Sequence, residues 1–100
     1  MISWIGVDLD GTLAKFDGWT DATHIGEPVE PMLARVKGWL GEGKVVKIFT
    51  GRAPNEAIDE WCLKHVGKVL PVTNSKDFSM IELWDDRCVH VECNTGRIIG

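Results

Sequence analysis

The sequence predicts a single α/β domain built on a mainly parallel sheet. Short apolar runs at residues 2–9, 44–50, 68–73 and 81–84 are each bounded by polar or glycine-bearing turns, as buried strands are. Between them lie two segments with helical signals. Strand, helix, strand, helix, strand in that order calls for parallel pairing through right-handed crossovers.

The first strand is read from the run that ends in "WIGVDLDGTL". It is stopped by Asp10-Gly11, a pair common in turns. Residues 14–30 follow no clean period and hold Gly18, Trp19, His24, Gly26 and Pro28, so they read as a long loop or flap. Pro31 suits the first turn of a helix, and Met32, Leu33, Val36, Trp39 and Leu40 form one apolar stripe. Gly41 and Gly43 end it. "KVVKIFT" is the second strand. Residues 51–67 read as the second helix, with Pro54 in its first turn, Glu56, Asp59 and Glu60 early, and Lys64 and His65 late, as the helix dipole prefers. Pro71 places the third strand at a sheet edge. The fourth strand ends in Asp85-Asp86, and residues 88–93 and 97–99 flank Asn94-Thr95-Gly96 as a C-terminal β-hairpin. The whole is expected to be one Rossmann-like, three-layer domain over residues 1–100.

Bulk properties narrow the function. With 44% hydrophobic residues in 100, the chain can bury a core without staples, and disorder is excluded. A net charge of −4 with mixed signs weighs against broad electrostatic binding of nucleic acid. Cys62, Cys88 and Cys93 make an odd, scattered set, so no disulfide framework is expected and a reducing, cytoplasmic setting is. No signal peptide and no membrane span are expected, because Asp8 interrupts the first apolar run and no later run approaches the required length. A zinc site at Cys88, His90 and Cys93 is disfavoured: on a strand the first two point one way and the third the other.

In a parallel sheet, ligands bind beyond the carboxyl ends of the strands. Asp8 and Asp10 stand there after the first strand, Thr50, Gly51 and Arg52 after the second, and Asp85 and Asp86 after the fourth; Lys76 lies in the loop after the third. Four carboxylates cannot stay ionised together without positive charge. A hard divalent cation such as Mg²⁺, which takes one or two carboxylates together with phosphate oxygens, would supply it. A carboxylate facing a metal-held phosphate suits covalent catalysis.

"DLDGTL", "FTGR", Lys76 in "NSKDFSM" and "WDDR" follow one another in the order of four motifs, and on them the chain resembles the haloacid dehalogenase-like phosphohydrolase superfamily. The resemblance implies that Asp8 is the nucleophile, forming an aspartyl phosphate, and that Asp10 is the general acid and base. It implies that Thr50 bonds the phosphoryl oxygens and that Lys76 clamps the nucleophile and phosphate. Asp8, the main-chain carbonyl of Asp10, and Asp86 supported by Asp85 would hold Mg²⁺. Gly51 and Arg52 are candidates for substrate binding, as are Trp19 and His24 in the flap.

The intervals from Leu13 to Thr50 and from Thr50 to Lys76 leave no room for a cap domain. The expected activity is therefore that of a minimal, uncapped, Mg²⁺-dependent phosphomonoesterase. Its substrate would be a small molecule or a macromolecular phosphate such as a phosphoprotein, or a second subunit would cover the open site. The "DDR" tripeptide also resembles that of polynucleotide kinase–phosphatases, which raises a nucleic-acid end as a substrate, against the acidic charge. Two other classes compete. A phospho-accepting signalling receiver places its acidic pair early, whereas here the pair comes last. A catalytically idle phosphate-binding module has no need for such crowding of charge.

Overall fold

A computed structural model describes residues 2–100. The elements run β1 (Trp4–Val7), α1 (Glu30–Gly41), β2 (Val45–Phe49), α2 (Glu56–His65), β3 (Val72–Thr73) and β4 (Met80–Trp84). All strand pairings are parallel, in the spatial order β3-β2-β1-β4. No helix among the described residues is long and apolar enough to cross a membrane.

The sheet order decides where the connections go. From β1 to β2 to β3 the chain steps in one direction, so right-handed crossovers place α1 and α2 on the same face. That face holds one core. Ile5 and Val7 of β1 and Val46 and Ile48 of β2 meet Met32, Leu33 and Val36 of α1 and Ile58, Trp61 and Cys62 of α2. Every second residue of a strand faces this layer, which is why β2 is buried at Val46 and Ile48 and less so between. At the β4 edge, Trp39 of α1 meets Trp84 with ring centroids 5.2 Å apart.

The return from β3 to β4 steps the other way, and so crosses the opposite face. Residues 74–79 make that crossing without a helix. Asp77 accepts the Trp4 indole N–H at 2.9 Å, and Lys47 lies 4.5 Å over the same ring. Regular structure therefore forms two layers, and the third layer expected from the sequence is a loop.

Local boundaries shift for physical reasons. α2 starts at Glu56, not in the "GRAP" run, because the Asn55 side chain accepts the Ile58 N–H and caps it. β3 keeps only two residues of its expected run, although the Pro71 carbonyl still accepts the Ile48 N–H. The C-terminal hairpin is reduced to a Val91–Ile98 bridge and two neighbouring hydrogen bonds, turned at Asn94 and Gly96 with positive φ. It stays outside the sheet.

The flap is a loop closed at its base. Ala14 bridges Pro28, Lys15 N–H bonds the Glu27 carbonyl at 2.8 Å, and the Trp61 indole holds the Gly26 carbonyl at 2.8 Å. A Cβ at Gly26 would stand 2.1 Å from the Lys15 carbonyl oxygen. Gly26→Ala is therefore expected to force the two arms apart and lower stability by about 1–3 kcal/mol. Urea unfolding checks this; an unchanged midpoint would mean that the flap base is not this tight.

Candidate active site

β1 is flanked by β2 and β4, so the chain ends of these three strands meet above the sheet. Pairing runs on past each strand: Asp8 N–H bonds the Trp84 carbonyl at 2.9 Å, and Thr50 N–H bonds the Thr73 carbonyl at 3.0 Å. Leu9 turns into the core while Asp8 and Asp10 turn out of it. A cavity of about 400 Å³ opens there, lined by Asp8, Asp10, Thr50, Asp85 and Asp86, with Phe16, Trp19, Gly51, Arg52 and Arg87 completing it.

Residues 9–14 coil into a single helix-like turn, with Leu13 and Ala14 N–H groups on the Leu9 carbonyl. The turn passes through Gly11 at φ +91°, where a Cβ would lie 2.6 Å from an Asp86 carboxylate oxygen. Two constraints thus demand glycine: the left-handed backbone and the acid beside it. The same turn brings Thr12 back over Asp8. Its hydroxyl oxygen lies 3.3 Å from Asp8 Oδ2 and 3.3 Å from Asp86 Oδ1, and accepts the Asp86 N–H at 3.0 Å. One hydroxyl proton serves two carboxylates.

Asp8, Asp85 and Asp86 place carboxylate oxygens within 4.8 Å of one another. Burial, together with the crowding, raises the Asp8 pKa from 3.8 to about 7. Burial contributes most, followed by the Asp85 charge and the Asp86 side chain, while Thr12 opposes them. The donor set is all oxygen, which suits Mg²⁺ and not zinc. With all four of its carboxylates ionised, the cavity would carry two more negative charges than its two guanidiniums balance, and a divalent ion would offset them. Asp8, Asp85 and Asp86 therefore fit such an ion.

Asp10 is handled differently. Arg52 grips both its oxygens, Nε to Oδ2 at 2.7 Å and NH2 to Oδ1 at 2.9 Å. The same guanidinium donates to the flap carbonyls of Ala22 (3.1 Å) and His24 (2.8 Å) and lies 4.8 Å over the Trp19 ring. Thr50 is 4% exposed, and its hydroxyl accepts the Arg52 N–H at 3.1 Å. His24 lines an adjoining cavity of about 490 Å³ under the flap, which shares Asp10, Phe16, Trp19 and Arg52 with the first.

Of the residues singled out in the sequence, Asp8, Asp10, Trp19, Thr50, Gly51, Arg52, Asp85 and Asp86 share one cavity. Lys76 does not line it. Lys76 is exposed in the loop that descends from β3 to the amino end of β1, next to Asp77, which holds Trp4 there. Thr12, Phe16 and Arg87 were not anticipated. Thr12 follows Asp8 by four residues, one helical turn, and Arg87 follows the paired acids directly, so both were in view in the sequence.

No family model and no characterised protein matches the sequence. Among solved structures, a conserved protein from Bacteroides thetaiotaomicron is similar in fold, with a TM-score of 0.67 at 23% identity over 89% of this chain and 79% of that one. At this identity the likeness establishes the α/β fold alone.

The raised Asp8 pKa makes a prediction about stability. A carboxyl that binds its proton more tightly folded than unfolded contributes stability at low pH, and that contribution is lost as pH rises from about 4 through about 7. In chelator, Asp8→Asn should therefore raise the thermal midpoint above wild type at pH 8, and by much less at pH 4. An equal shift at both pH values would mean that the charge on Asp8 is not the cause.

Proposed function

We propose that the protein is a Mg²⁺-dependent phosphomonoesterase that works through an aspartyl phosphate on Asp8. The observation that carries this reading is the meeting of Asp8, Asp85 and Asp86 within 4.8 Å, in one cavity with Asp10 and Thr50. The order of the four motifs in the sequence supports it.

Asp8, Asp86 and Asp85 would hold the ion, with the main-chain oxygen of Asp10 as the resemblance implies. When bound, the ion supplies positive charge against the carboxylates and the phosphoryl group. The rest falls to the chain's own groups. Asp8 attacks phosphorus as its bond to the leaving oxygen breaks, and that oxygen takes the proton carried by Asp10. Water then attacks the same phosphorus, Asp10 takes the water's proton, and the Asp8–phosphorus bond breaks to release phosphate. Thr50, buried at the end of β2, offers its hydroxyl to a phosphoryl oxygen. With Lys76 away from the cavity, Arg87 is the lining cation with no side-chain partner among the described hydrogen bonds and ion pairs, and we assign it the charge of the transferred group.

Two measurements test this reading. Hydrolysis of an aryl phosphate should require Mg²⁺ and stop in excess chelator; undiminished turnover there would remove the metal assignment. Asp8→Asn should form no phosphoenzyme. Asp10→Asn should lose about 10²–10⁴-fold in turnover yet accumulate acid-stable, hydroxylamine-sensitive phosphate on Asp8, read by mass spectrometry. A phosphoenzyme on Asp8→Asn would mean that the nucleophile lies elsewhere.

A further inference from the structure

We infer that Arg52 is a latch that an anionic group on the leaving-group side of the substrate opens, and that this residue selects substrates carrying such a second anion. The inference rests on the phosphatase reading for its substrate, but not for its binding test.

A carboxylate that exchanges protons with a leaving oxygen and then with water needs a free oxygen. Both oxygens of Asp10 are already engaged: Arg52 donates to one lone pair of each, at 2.7 and 2.9 Å, and fixes the direction in which the carboxylate faces. The Arg52 side chain is 7% exposed and that of Asp10 20%, so water does little to loosen the pair. Four of the five guanidinium N–H groups are engaged, two on Asp10 and one each on the Ala22 and His24 carbonyls. The structure is thus a resting arrangement in which the acid–base group is tied to the flap.

The pair opens readily only for something that replaces Asp10 on Arg52. A guanidinium holds carboxylate and phosphate by the same two-pronged geometry, so a substrate anion can take the position of Asp10 without loss of bonds. A ligand shifts such an equilibrium only by its differential affinity for the two states. A neutral leaving group has none for Arg52 and leaves the latch to its own opening equilibrium, so such a substrate turns over, but slowly.

The position of Arg52 identifies which end of the substrate this is. Its guanidinium faces the flap carbonyls and the Trp19 ring, and it lines both the acidic cavity and the cavity beneath the flap. The phosphoryl group belongs with Asp8, Asp85, Asp86 and Arg87; the leaving group then extends under Trp19, which is 60% exposed and open to contact.

Binding and turnover test the latch separately. In calorimetry with Mg²⁺ present, wild type should bind 3-phosphonopropionate on the order of tenfold more tightly than ethylphosphonate, the value of a charge-assisted hydrogen-bonded contact. Arg52→Ala should abolish that preference. Asp10→Asn, which frees Arg52, should widen it. Arg52→Lys, which keeps the charge without the two-pronged grip, should fall between, and it serves if Arg52→Ala does not fold. In turnover, Arg52→Ala should raise kcat for 4-nitrophenyl phosphate while lowering kcat/KM for a carboxylate-bearing alkyl phosphate. A merely structural role would lower both. A preference that survives Arg52→Ala or narrows in Asp10→Asn overturns the latch, as does failure of 3-phosphonopropionate to bind wild type. Arg52-dependent binding of that probe with no turnover of any phosphate would support the latch and remove the phosphatase reading.

Discussion

The crowding of Asp8, Asp85 and Asp86 is the constraint around which this small domain is arranged. Three carboxylates within 4.8 Å repel one another, and burial of Asp8 makes the repulsion worse. The chain brings them together because β1 lies between β2 and β4, so Asp8 and the paired acids leave the sheet side by side. Nearby residues show what that proximity demands. Gly11 has no side chain because the Asp86 carboxylate occupies the space where a Cβ would be. Thr12, buried to 8% exposure, spans Asp8 and Asp86 with a single hydroxyl. These contacts hold the acids in place without neutralising them.

Asp10 is one residue from Leu9 and two from Asp8, yet its charge has a partner within the protein. Arg52 comes from the end of β2, and its bonds to Ala22 and His24 also fasten the flap. The two aspartates that face the same side of one strand end are therefore compensated from different sources. Asp10 is balanced by a guanidinium of the fold itself, and Asp8 is left short of positive charge beside the Asp85 and Asp86 carboxylates. That asymmetry fits a division of labour in which Asp8 works with a bound cation and Asp10 works after release from an organic one.

Much of this was legible in the sequence, and the reasons are particular. The strand ends were visible because Asp10-Gly11, Thr50-Gly51 and Asp85-Asp86 each close an apolar run, and parallel order then placed them on one edge. The apolar stripe of α1 predicted its buried face, and Met32, Leu33 and Val36 are its buried residues. What the sequence could not show was partnership across distance. Arg52 and Asp10 are separated by 42 residues, and nothing local marks them as a pair. α2 starts later than the sequence suggests because Pro54 is a strong local signal, whereas the Asn55 cap depends on where the side chain turns.

Lys76 illustrates how a motif in the right order can still be carried away by topology. β3 lies outside β2, a strand further from β1 than the strands that supply Thr50 and the paired acids. Its outgoing loop must reach the amino end of β4 at the far edge in residues 74–79, because Met80 pairs with Trp4. A chain that short descends across the open face at once, and Asp77 is already bound to the Trp4 indole. Lys76 is thus drawn away from the cavity by the same missing helix that reduces the fold to two layers. A cation at the site must then come from an element that ends there. Arg52 after β2 and Arg87 after β4 meet that condition, one on each side of Asp8, and both line its cavity.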